Sequence, residues 1–172
     1  MQQIKFLALA CLFMLVSQLP LAAQAADAKV TNTQIVDVSA DLVWAVLRKM
    51  DDIDKYSSSV EKVDWSGAHG VGGQRVCTAP GGQGRFVESI VKFDDTTRSY
   101  SYALVEGVPA KGMVNSFKVV DLGYQKCMIV WTSTFDQFVE NPQMTEAQFM
   151  GFLDMASTEM LDKVAAEATK RS

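Results

Sequence analysis

Apolar side chains recur at Phe149, Leu153, Ala156, Met160 and Val164, spaced by three or four, which sets them on one helical face. Phe152, Leu161, Ala165 and Ala168 widen that face beyond a narrow seam, so the spacing predicts a helix over 145–168 that covers a broad surface such as a sheet. Thr145 with Gln148 three residues on forms a capping-box pattern, and Glu146 sets a negative charge at the positive end of the helix. At ~1.5 Å per residue such a helix runs roughly 36 Å. It needs something large to lie on.

The chain before it alternates with the period of strands instead. A β-branched run over 29–38 reads as a first strand. Ser39 then caps a short amphipathic helix carrying Val43, Trp44, Leu47 and Met50, and Asp51-Asp52 open a second short helical piece ending near Tyr56. Further strands are expected over 60–65, 74–78, 85–93, 99–105, 114–122 and 127–138, parted by turns rich in Gly, Pro and Asp, with Gly123 in the last hairpin. Strands joined by short turns pair antiparallel, because a parallel pair needs a long crossover. The first strand, whose crossover is helical, can close one edge. The expected fold is α+β: a curved seven-stranded antiparallel sheet around a long C-terminal helix, with two short helices after strand 1.

Composition changes the picture at the N-terminus. After Lys5, residues 6–21 are almost wholly apolar, and Ala23-Gln24-Ala25 follows as a small-x-small cleavage site. That order is a secretory signal peptide over 1–25, leaving a single domain over 26–172 and a periplasmic or secreted location. The apolar run falls short of the ~20 residues a spanning helix needs, and only ten residues precede Cys11, too few for a lipoprotein leader. Loss of Lys5 moves the formal charge from −4 to about −5. An acidic chain without a basic run carries no electrostatic footprint for nucleic acid. Cys77 and Cys127 survive processing. A domain of this size can bury an adequate core without a disulfide, so both are expected as buried thiols.

Three stretches carry a family resemblance. Ser39-Ala40-Asp41-Leu42-Val43-Trp44-Ala45-Val46-Leu47 is similar to the opening of the first helix in the polyketide cyclase/START/Bet v 1-like (SRPBCC) superfamily. Glu88 through Phe93-Asp94, then Arg98-Ser99-Tyr100-Ser101-Tyr102, resembles its fourth and fifth strands, and Val130-Trp131 its last. The resemblance spans about 30–168 and implies the helix-grip fold, with a cavity between helix and sheet. One departure is Tyr56-Ser57-Ser58-Ser59, where members often carry Trp-x-Pro. The insert Glu140-Asn141-Pro142-Gln143 before the last helix has loose counterparts in exported members that act as accessory proteins.

Strand parity nominates the cavity lining, since side chains alternate faces. Cys127, Ile129, Trp131, Ser133 and Phe135 form the more apolar set of the last strand, and Tyr100, Tyr102 and Leu104 the inward set of the fifth. The resemblance sends Phe86, Glu88 and Ile90 inward from the fourth, which makes Arg75 on the neighbouring strand the obvious partner of Glu88. The candidate ligand-binding set is Arg75, Glu88, Tyr100, Tyr102 and Trp131, with Phe149 and Leu153 from the helix; the candidate catalytic groups are Glu88, Arg75 and Tyr102. Glu88 reads as a polar anchor in a pocket or as half of a structural ion pair.

His69 is the only histidine, and one His with two Cys makes no credible zinc site, so no metal or cofactor is expected. The glycine clusters at 70–73 and 81–84 open no helix, which argues against phosphate cradles and for turns at the pocket mouth. Asp136 and Glu140 read as solvated carboxylates. The functional expectation is a monomeric periplasmic binding or carrier protein for a small hydrophobic molecule. The alternatives are a cyclase/dehydratase-like enzyme and an accessory interaction protein of a periplasmic enzyme.

Overall fold

The computed structural model describes residues 27–172, so the proposed leader lies outside the described residues. β1 (Val30–Val36) is followed by α1 (Ala40–Leu47) and a 3-10 helix over Met50–Lys55. Ser39 caps α1 by accepting a hydrogen bond from the Leu42 amide. β2 (Lys62–Ser66), β3 (Gln74–Thr78), β4 (Arg85–Asp94), β5 (Ser99–Glu106), β7 (Val114–Gly123) and β8 (Lys126–Thr134) then form an antiparallel meander, and β1 closes onto β8. The sheet order β1-β8-β7-β5-β4-β3-β2 is the one expected from turn lengths and the helical crossover. The helix-grip architecture read from the sequence is present.

The last strand was expected to run unbroken to residue 138, and it does not. β8 stops at Thr134, and Gln137–Phe138 form a separate two-residue strand, β9, paired with β6 (Ala110–Lys111). The cause is local. The Asp136 amide donates to the Lys111 carbonyl at 2.9 Å, and the Asp136 carboxylate fills the space where a Cβ on Gly112 would stand. Gly112 holds a left-handed φ of 64°, so the chain can turn tightly there. Phe135 stays buried against Phe149, ring centroids 5.9 Å apart, which keeps the apolar alternation intact in sequence while the backbone breaks.

α2 (Glu146–Thr169) crosses the concave face. Its capping box is complete: the Thr145 hydroxyl accepts from the Gln148 amide, and the Gln148 side chain accepts from the Thr145 amide. Phe149, Leu153, Met160, Leu161, Val164, Ala165 and Ala168 are buried as the stripe requires, while Phe152 is exposed and Ser157 takes an interior place. The helix packs against β1, β8 and α1. Asn32 of β1 ties to it through the Asp154 carbonyl and the Ser157 hydroxyl. β4 carries register shifts at Val87/Glu88 and Ile90/Lys92, bulges that bend a strand and sharpen its twist. The second returns Phe93, expected on the outer face, to the interior beside Trp44 at 5.7 Å. Cys77 and Cys127 are free, buried thiols on β3 and β8, with β4, β5 and β7 between them.

Candidate ligand cavity

Arg75 and Glu88 are direct cross-strand partners on β3 and β4, so their side chains leave the same face side by side. The Arg75 guanidinium pairs with the Glu88 carboxylate and donates to the Met50 carbonyl, and their side chains are only 1% and 6% exposed. Tyr102 lays its ring over the guanidinium at 4.7 Å, adding a cation–π contact. Burial works to strip the charge from Arg75, but the Glu88 carboxylate outweighs it and holds the guanidinium above its ordinary value. The Cys77 thiol, also beside Glu88, is pushed up to about 12 chiefly by burial. Burial likewise raises Tyr100 to about 12 and Tyr102 further still, so both are neutral phenols in ordinary buffers. The Trp131 indole N–H donates to the Tyr102 oxygen at 3.2 Å.

Above this pair lies a cavity of about 420 Å³ between the sheet and α2. That volume falls in the range of small-molecule sites, ~300–1,000 Å³. Its walls are mainly apolar: Phe86 and Leu104 from the sheet, Met113 and Trp131 beside them, Phe149 and Leu153 from the helix. Of the residues lining it, Pro80, Gly84, Arg85, Gly107 and Phe152 are exposed and mark the mouth. The Pro80–Gly82 turn therefore sits where the second glycine cluster was expected to sit. The cluster at 70–73 does not: Gly72 donates to the Ile90 carbonyl and Gly73 accepts from the Ile90 amide, at the opposite end of the β2–β3 hairpin. His69 lies there too, exposed and stacked on Trp65 at 4.9 Å, far along the hairpin from the mouth.

Six of the seven residues nominated from sequence line the cavity: Arg75, Glu88, Tyr102, Trp131, Phe149 and Leu153. Tyr100 does not. It is 1% exposed among Trp44, Tyr102 and Phe117, two residues from Tyr102 along the same face, where it borders a void of about 10 Å³ under the 3-10 helix. Parity gave its face correctly, but the ring of Phe117 and the first helix cover it. Sequence reasoning missed Met113, Asn115 and Ser157. Asn115 had a signal, since it alternates with the apolar Phe117 and Val119 and so falls on the inward parity of its strand. Ser57 and Ser59, in the Tyr56-Ser57-Ser58-Ser59 departure, also reach the lining, and Ser58 anchors that loop to Glu159 on α2 at 2.7 Å. Among the described residues no cluster of His, Cys, Asp or Glu could hold a metal ion.

The family model for polyketide cyclase / dehydrase and lipid transport proteins matches residues 27–169. The chain belongs to that family. Its fold recurs in a Streptomyces aromatase/cyclase, Zhui, at 24% identity and a TM-score of 0.69, covering 83% of this chain and 93% of that one. It recurs in norcoclaurine synthase from Thalictrum flavum, solved with dopamine and hydroxybenzaldehyde, at 20% identity and a TM-score of 0.63, covering 83% and 87%. The protein XoxI from Bacillus cereus superposes with a TM-score of 0.69 at 15% identity, covering 80% and 92%. No curated protein matches the sequence significantly. At these identities the solved structures bear on the fold alone.

Proposed function

We propose that this polyketide cyclase / dehydrase and lipid transport family member is a periplasmic binding or carrier protein for a small, mainly apolar molecule held between the sheet and α2. One observation carries the reading: a cavity of about 420 Å³ with apolar walls, whose two buried charged groups, Arg75 and Glu88, neutralise each other while Arg85 stays exposed at the mouth. Burial of apolar ligand surface supplies the driving force, at ~25 cal/mol per Å² before the costs of association. The solved relatives named for an aromatase/cyclase and for a synthase crystallised with aromatic molecules support a ligand of that general size. The periplasmic part rests on the apolar run and Ala23-Gln24-Ala25, and N-terminal sequencing of exported protein should begin at Ala26.

The cyclase/dehydratase reading through Glu88, Arg75 and Tyr102 is less well supported. Glu88 and Arg75 engage each other, and Tyr102 is held protonated, so none of the three stands ready to take a proton from a bound molecule. An accessory interaction role becomes the better account if the cavity binds nothing.

Leu153→Trp tests the carrier reading, because Leu153 lines the cavity from α2 as Trp131 lines it from the sheet. An indole entering empty space keeps most of the stability and removes binding of an environment-sensitive apolar dye. Overpacking a solid core would instead cost ~1–3 kcal/mol. Wild-type protein that binds no dye, with strong destabilisation of Leu153→Trp, overturns the proposal.

A further inference from the structure

The cavity wall carries donors that its apolar surroundings do not explain. Tyr102 and Asn115 are direct cross-strand partners on β5 and β7, so their side chains stand side by side on the inner face, and both line the cavity. Asn115 is 4% exposed, and its carboxamide oxygen is enclosed, out of reach of anything in the cavity. Its NH2 is the polar end of that side chain with surface on the space, and among the described residues no hydrogen bond engages it. Tyr102 accepts from the Trp131 indole, so its own O–H is a second donor beside the first. Leu104, Met113 and Phe149 around them offer no polar side-chain atom. Buried polar groups are nearly always satisfied. An unengaged amide NH2 at the wall of a ligand-sized space points to an acceptor supplied from within that space.

We infer that the ligand presents a neutral carbonyl oxygen to Asn115 and accepts a hydrogen bond from its NH2. The local polarity selects that chemistry. A carbonyl oxygen has two lone pairs and no proton, so it can take the Asn115 N–H, and the Tyr102 O–H as well, with nothing left unmet. An alcohol could accept the same bond, but its own proton would meet donors and apolar walls. The Glu88 carboxylate stands two strands away on β4 and is held by Arg75. A carboxylate would carry a charge into a cavity whose buried cation Glu88 already neutralises. The ligand class is therefore a ketone or aldehyde on an apolar, ring-sized body, its oxygen toward β5 and β7. This inference rests on the carrier reading above.

The test titrates the mature protein by calorimetry with 2-acetylnaphthalene, its reduced alcohol 1-(2-naphthyl)ethanol, 2-naphthoate and an apolar dye. Ketone and alcohol share one carbon skeleton, so their difference reports the oxygen. The expected result is the ketone binding about tenfold more tightly than the alcohol, with 2-naphthoate weaker than both. The C=O stretch of the bound ketone should move to lower wavenumber, as it does on accepting a hydrogen bond. In Asn115→Leu the preference should collapse to about twofold or less while the dye still binds. The wild-type titrations and the infrared shift need no variant, so they decide even if Asn115→Leu folds poorly. Dye binding without a preference for the ketone, a preference for the alcohol or the naphthoate, or a ketone preference that survives in Asn115→Leu overturns the carbonyl inference and leaves the carrier reading standing. No binding of dye or probes overturns both.

Discussion

Glu88→Gln is the perturbation that reads most directly on the centre of the cavity. It keeps the shape of the side chain and removes only its charge, leaving the Arg75 guanidinium 1% exposed without a counter-ion. Breaking a buried pair from one side costs ~3–5 kcal/mol, because an uncompensated charge stays in a poorly solvated site. Here Arg75 keeps its bond to the Met50 carbonyl and its stack on Tyr102, so the cost belongs at the lower end, about 3 kcal/mol. Arg75→Met strands the Glu88 carboxylate with only the weak Cys77 thiol as a donor and also frees the Met50 carbonyl, which places it nearer 5 kcal/mol. For a domain of this size those losses lower Tm by about 10–15 °C. The double change Arg75→Met, Glu88→Leu removes both charges and fills the space with apolar atoms, so it should recover most of the loss, keeping only the ~1–3 kcal/mol of the unpaired Met50 carbonyl. Urea denaturation followed by circular dichroism gives all three values and the coupling between the sites. Single variants within 1 kcal/mol of wild type, or a double equal to the sum of the singles, would show that water reaches the pair and that the cavity floor is wet.

Two further outcomes follow from burial. Tyr100 is raised from 10.0 to about 12, and Tyr102 is raised too, so folding favours the protonated phenols: their contribution is intact below pH 10 and is lost as pH rises through the folded value. Absorbance at 295 nm should show both ionising only along with the alkaline unfolding transition, whereas ionisation near pH 10 in protein that remains folded would place them in contact with solvent. Cys77 and Cys127, both 0% exposed, should resist alkylation in native protein and both react in urea without reductant; a failure to react in urea would mean a disulfide that the strand order forbids.

Much of this was legible in the sequence because it depends on short-range periodicity. The 3.6-residue stripe from Phe149 to Ala168, the Thr145/Gln148 box and the two-residue alternation of β5 and β8 are each set by local geometry, and they hold apart from Phe152, which is exposed. What failed depends on contacts distant in sequence. The break after Thr134 comes from Asp136 meeting Lys111 and Gly112, a pairing that the run Phe135 to Phe138 does not signal. The bulge at Ile90/Lys92 reverses the parity of β4, so Phe93 turns inward although alternation puts it out. Tyr100 was assigned to the correct face, but depth along a strand is decided by what lies above it, here Trp44 and Phe117. Asn115 was readable by the same parity that found Trp131.

The cavity itself follows from how residue size is distributed along α2. Cores normally close to near-crystalline density, so a void of about 420 Å³ needs a cause. The part of the helix that lines it ends at Met160; its buried apolar residues, Phe149, Leu153 and Met160, are bulky, with the small Ser157 buried among them. Beyond Met160 the buried stripe turns to Leu161, Val164, Ala165 and Ala168, and none of these touches the cavity. Small residues let that end of the helix settle closely, while large ones hold the other end off the sheet. The helix also leans toward β1 and β8, where Asn32 fixes it at Asp154 and Ser157, leaving the inner faces of β3, β4 and β5 less covered. Those are the strands that present Arg75, Glu88, Tyr102 and Leu104. A uniformly bulky stripe would not pack at the C-terminal end, and a uniformly small one would close the space. The lean toward β1 and β8, with Ala165 and Ala168 letting the C-terminal end settle closely, leaves the space over β3, β4 and β5.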